Sequence, residues 1–104
     1  MDVRNLNDAR SWFEVLQTEP QAQTAVMKLE PGGASGETLN SHAQSAQVLL
    51  VVEGEVEAEV GGDQQTLHVG DVVVIPPGVP HRFRNRSAAP VLTFNVYAPP
   101  EYPA

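Results

Sequence analysis

The chain has 104 residues, a formal net charge of −7 and no cysteine. That length suits one domain, the charge opposes nucleic acid and anionic membranes as partners, and the lack of cysteine removes disulfides, thiolate metal sites and thiol nucleophiles. Nine prolines and eight glycines imply the many turns of an all-β chain. Met1 to Arg10 is polar, with no apolar signal core, and no run reaches membrane-spanning length, so a soluble, cytoplasmic protein is expected.

Met1 to Arg10 forms at most one turn. Ser11 to Thr18, SWFEVLQT, reads as a short strand in which Trp12 packs in the core or at a subunit contact, or else stacks on a substrate. From Gln21 to Glu30 the pattern alternates: Ala25, Met27 and Leu29 share one face, and Thr24, Val26, Lys28 and Glu30 the other, as in an amphipathic strand. Pro31-Gly32-Gly33 ends it, and Ala34 to Ser41 is a small-residue loop of the kind that carries function on a rigid scaffold.

Val48-Leu49-Leu50-Val51-Val52 reads as a strand buried on both faces. Glu55 to Val60 alternates strictly, its three glutamates forming a solvated face. Gly61-Gly62-Asp63 turns it into a hairpin with Gln64 to Val69, where His68 faces solvent. Val72 to Ile75 is a second buried strand by length and β-branching. Pro76, Pro77, Gly78 and Pro80 then force a stiff corner. Beyond it Arg82, Arg84 and Arg86 share the parity that faces water, while His81, Phe83 and Asn85 face inward. Val91 to Ala98 is the last strand, with Leu92, Phe94 and Val96 on one side and Thr93, Asn95 and Tyr97 on the other. Pro99 to Pro103 is an extended tail that lies over the barrel or a neighbour.

The stretch GDVVVIPPGVPHRFRN resembles the second sequence pattern of the cupins: Gly70, Pro76, Gly78, His81 and Asn85 fill every position of Gly, five residues, Pro, one, Gly, two, His, three, Asn. The first cupin pattern is kept in part by GETLNSHAQSAQVLLVVEGE. Gly36, His42 and Gly54 are in place, Gln44 stands for the second histidine and Gln47 for the glutamate, with one residue fewer between those two positions. The resemblance spans roughly Met27 to Pro99. It implies an all-β, double-stranded β-helix (jelly-roll) barrel, one domain over residues 1–104 with its core at about 22–99.

In cupins these positions converge on a metal inside the barrel, so the resemblance implies a site of His42, Gln44, Gln47 and His81. Imidazole and amide oxygen suit zinc, manganese, nickel, iron or copper. An amide in place of a carboxylate removes one negative charge, which weakens binding and leaves the ion a stronger Lewis acid. That favours a lyase, isomerase or hydrolase acting on a small polar molecule such as a carboxylate or sugar acid. The alternatives are a metal-dependent dioxygenase, a non-catalytic ligand-binding or sensory module without metal, in which the histidines only line a polar pocket, and a mainly structural dimer. Glu37, Tyr97 and Tyr102 are candidate acids or bases, none singled out by spacing. A homodimer is expected from the need to cover open sheet edges, with Ser11 to Thr18 and Pro99 to Ala104 as contact candidates.

Overall fold

A single 3-10 turn, Leu6–Asp8, opens the computed structural model, which describes residues 1–104. Eight strands follow: β1 Phe13–Thr18, β2 Gln23–Leu29, β3 Ala46–Glu53, β4 Glu55–Val60, β5 Asp63–His68, β6 Val72–Ile75, β7 His81–Arg84 and β8 Val91–Ala98. No helix is long and apolar enough to cross a membrane.

The strands form a five-stranded sheet in the order β1-β2-β8-β3-β6 and a three-stranded sheet in the order β5-β4-β7. Every neighbouring pair is antiparallel. Met27, Leu29, Leu49, Val51, Ile75 and Val91 from the larger sheet meet Val56, Ala58, Leu67 and Phe83 from the smaller in one core. This is the expected jelly roll, with its two sheets facing each other rather than joined into one closed ladder. The segment that closes the gap, residues 34–40, forms no strand and pairs its backbone with β7 at two isolated bridges, Ala34 to Arg84 and Asn40 to His81. Thr38 is its one β-branched residue, and the small and polar residues around it disfavour a continuous strand.

Turn chemistry follows the sequence closely. Gly61 and Gly62 take φ of 57° and 89°, which gives the two-residue hairpin turn between β4 and β5. Asn85, buried at the end of the second pattern, is a fastener. Its Nδ2 donates to Leu29 O at 2.9 Å and Ala89 O at 2.8 Å, and its Oδ1 accepts from the Ser87 N–H at 2.9 Å and the Ser87 hydroxyl at 2.7 Å.

Several faces differ from expectation. Val72 and Val74 are 58% and 60% exposed, because β6 is an edge strand and only Ile75 turns fully into the core. In β3 Leu49 and Val51 are buried while Val48, Leu50 and Val52 are half-covered, so the run is buried on one face, not both. The arginines are not simply in water. Register places Glu57 opposite Arg84 and Glu59 opposite Arg82; Glu57 contacts Arg84 at 3.1 Å and Arg86 at 3.3 Å, and Glu59 lies 3.8 Å from Arg82. Val26 is fully buried, since Leu6, Ala9, Leu16 and Leu92 cover the outer face there.

Candidate functional site

Two histidines far apart in sequence meet because the loop that carries one is stitched to the strand that carries the other. Asn40 and His81 exchange both backbone hydrogen bonds at 2.8 Å, and the Gly78 N–H donates to His42 O at 2.7 Å. Further along the same seam, Ser35 N donates to Phe83 O at 2.8 Å and Ser35 Oγ accepts from Phe83 N at 2.9 Å. Gly78 has φ of 81°, a value open to glycine and poor for other residues, and that turn brings its N–H to the His42 carbonyl. The His42 and His81 ring centroids end 5.0 Å apart.

Both rings line a cavity of about 170 Å³ between the sheets, and Gln47, from β3, lines it with them. His81 is buried, and its Nδ1 lies 2.9 Å from Val79 O, so that nitrogen carries the proton and Nε2 is left as a lone-pair donor. Burial holds His81 below the ordinary imidazole range; the Val79 carbonyl opposes that shift and nearby His42 adds to it. A neutral imidazole is the form that ligates a metal. His42 turns its Nδ1 toward Glu101 Oε1 at 3.3 Å.

Gln47 is held by a buried polar chain. Its Nε2 donates to Asn95 Oδ1 at 3.0 Å, Asn95 Nδ2 donates to Thr93 Oγ1 at 3.0 Å, and the Thr93 hydroxyl donates to Met27 O at 3.3 Å. The polar side of β8 is therefore the inward one. The chain fixes the amide with its oxygen free: Gln47 Oε1 is buried and has no hydrogen-bond partner. Such an orphan acceptor costs about 1–3 kcal/mol, a cost that a bound cation or donor would relieve.

The wall beside Gln47 is aromatic, beginning with Tyr97, its register partner on β8. Tyr97 stands 5.4 Å from His42, Tyr102 5.1 Å from Tyr97, Phe13 4.9 Å from Tyr102, and Trp12 5.9 Å from Phe13, centroid to centroid. Burial, then the neighbouring Tyr102, raise the Tyr97 phenol far above its ordinary value, and burial raises Tyr102 as well. Both hydroxyls stay protonated at neutral pH. No Lys or Arg lines the cavity.

Of the residues singled out in the sequence, His42, Gln47, His81, Tyr97 and Tyr102 come together. Gln44 does not: it is exposed in the loop before β3 and is not among the cavity residues. With His42 O tied to Gly78 and Ser45 Oγ donating to Pro99 O at 2.7 Å, the short interval between them turns Gln44 outward. Glu37 is exposed, and its carbonyl accepts from the Arg82 guanidinium. His68 is exposed as expected, 3.4 Å from Glu55. With glutamines at two ligand positions, no cluster of three or more His, Cys, Asp or Glu side chains is placed to hold a metal; the donor set present is two imidazoles and one amide oxygen. Asn95 and Glu101 were not foreseen. The alternation of β8 offered Asn95 with Tyr97, whereas nothing local marks Glu101.

Two facing antiparallel sheets around a histidine-lined cavity define a double-stranded β-helix protein with an internal pocket. The family profile described as Cupin domain matches residues 25–97, and the chain belongs to the cupin family. Members of that family bind small-molecule ligands. No curated protein matches the chain by sequence. Among solved structures, a Bacillus halodurans protein is 27% identical with a TM-score of 0.86, over 94% of this chain and 77% of that one. A Thermus thermophilus protein is 28% identical at 0.83, over 95% and 98% of the two chains. A double-stranded β-helix protein from Klebsiella pneumoniae shares the fold at 22% identity and a TM-score of 0.84, over 95% and 90%.

Proposed function

We propose that the cavity binds a divalent metal through His42, Gln47 and His81, and a small polar organic molecule beside it. The observation that carries this reading is the buried, unpartnered Gln47 Oε1, on a residue that lines the same cavity as two imidazoles, of which His81 has its Nδ1 engaged by Val79 O and His42 has its Nδ1 3.3 Å from Glu101 Oε1. Zinc, manganese, nickel, iron or copper suits these donors, and such an ion supplies Lewis acidity when bound. The remaining work falls to the chain. Tyr97 and Tyr102 present protonated hydroxyls to a ligand oxygen, and the Trp12 and Phe13 rings shield it from water. A lyase, isomerase or hydrolase role fits that equipment.

A second reading is a metal-free binding module, favoured by the aromatic wall and by the lack of any lysine or arginine in the lining. The two differ in ligand charge: without a metal, nothing in the cavity neutralises a carboxylate. Elemental analysis of protein purified without tag or chelator, beside a His42→Ala, His81→Ala double variant, tests the first. About one transition metal per chain, absent from the variant, is the expected result. No uptake by the wild type in excess divalent ion sinks it in favour of the second.

The reading includes a homodimer and a reducing compartment such as the cytoplasm, which a cysteine-free chain suits. Pro99, Glu101 and Tyr102 engage their own barrel; of the two edge strands, β1 within Ser11–Thr18 and β6, the reading favours β6. Its unpaired backbone and exposed Val72 and Val74 continue across register to Leu50 and Val48, and a second copy can add antiparallel about a two-fold axis. Wild-type protein should run at twice the chain mass, and a Val72→Glu, Val74→Glu variant at the chain mass. A monomeric wild type excludes this contact.

A further inference from the structure

Beyond β8 the chain folds back over the cavity, and a buried glutamine holds it there. Gln23, 1% exposed, uses its whole amide: Oε1 accepts from Glu101 N at 3.1 Å and Tyr102 N at 3.0 Å, while Nε2 donates to Tyr102 O at 2.8 Å and Thr18 Oγ1 at 3.0 Å. At the other end of this strap Ser45 Oγ holds Pro99 O at 2.7 Å. Between the two fastenings the Glu101 side chain turns inward, its Oε1 lying 3.3 Å from His42 Nδ1, with His42 and Glu101 side chains only 11% and 25% exposed. No lysine or arginine pairs with Glu101; the imidazole is its one ionic partner. Glu101 lies outside both sequence patterns.

We propose that Glu101 is a positioning residue for His42: its carboxylate accepts from Nδ1–H and so fixes the ring with Nε2 presented to the cavity. His81 is fixed in the same way by the Val79 carbonyl. The strap thus supplies the negative charge that Gln47 does not, placed behind a ligand instead of on the metal. A carboxylate behind an imidazole sets its tautomer and ring orientation, and losing such a partner costs about 10–100-fold in metal affinity. The consequence for affinity rests on the metal reading above; the orientation of His42 does not.

The test uses metal-free protein with nitrogen-15 in its histidine rings, near about pH 8, above the ordinary imidazole range. Spectra correlating ring nitrogens with carbon-bound ring protons distinguish the two tautomers. The three histidines are assigned by replacing each with alanine in turn. Wild type should show His42 as the Nδ1–H tautomer; Glu101→Ala should lose that preference, and Glu101→Gln, whose amide oxygen can still accept, should keep it. Titration with Co²⁺ alone should then show affinity lower by about 10–100-fold in Glu101→Ala, with Glu101→Gln in between. An unchanged His42 tautomer in Glu101→Ala overturns the proposal, even if affinity falls, because the residue would then act by packing or as a direct ligand. Wild type that takes up no Co²⁺ overturns the metal reading and leaves the tautomer result standing.

Discussion

Gly54→Ala should lower stability by about 3 kcal/mol or more, the largest loss expected from adding a single methyl group to this chain. Gly54 joins β3 to β4 and carries the chain from one sheet to the other with φ of 77°. A Cβ there would lie 2.5 Å from Pro90 O and 3.3 Å from Val91 Cα. Both are backbone atoms at the entry to β8, so no side chain can swing aside; the turn or the strand must move. Gly62, with φ of 89° and nothing within 4 Å of its would-be Cβ, is the internal control: Gly62→Ala should cost only the conformational strain, about 1 kcal/mol. Urea denaturation midpoints of the two variants decide the matter, and equal shifts would show that the close approach to Pro90 contributes nothing.

Gln47→Glu should have opposite effects with and without metal. In metal-free protein the new carboxylate would set an acceptor against Asn95 Oδ1, where the amide now donates at 3.0 Å, and would bury an unpaired charge. A cost of about 3–5 kcal/mol follows. With a dication present, the same charge attracts it at close range, and affinity should rise at least about tenfold, equivalent to ~1.4 kcal/mol. Thermal denaturation with and without Zn²⁺ checks both arms. A variant stabilised no more by Zn²⁺ than the wild type would remove Gln47 from the site.

How far the sequence revealed the protein depended on the range of the interactions. Gly61-Gly62 specify their hairpin locally, and Gly70, Pro76, Gly78, His81 and Asn85 specify a corner within sixteen residues; both were legible. Alternation separated Thr93, Asn95 and Tyr97 from Phe94 and Val96, but parity cannot say which set faces in. Here the polar set does, because Gln47 and Met27 on the flanking strands supply its partners. Continuous apolar runs hide the same choice, hence the misjudged outer faces of β3 and β6. The cupin resemblance puts Gln44 at a ligand position, whereas the loop turns it outward. Glu101 reaches His42 only because Gln23, from β2, anchors the strap, a relation with no period or motif to betray it.

The position of β8 in the larger sheet bears on how the protein assembles. It lies between β2 and β3 in the larger sheet although it comes last of the strands in sequence, so Gln23 pairs with Tyr97 and Leu29 with Val91. Neither β2 nor β3 gains its central neighbour until residues 91–98 have been synthesised. The β4–β5 hairpin can form early on a ribosome, but the larger sheet must wait for almost the whole chain, and closure of such long loops makes folding slow for a protein of this size. Until then the edges of β2 and β3 are open to pairing with other chains, which makes nascent protein the aggregation-prone species rather than the finished fold.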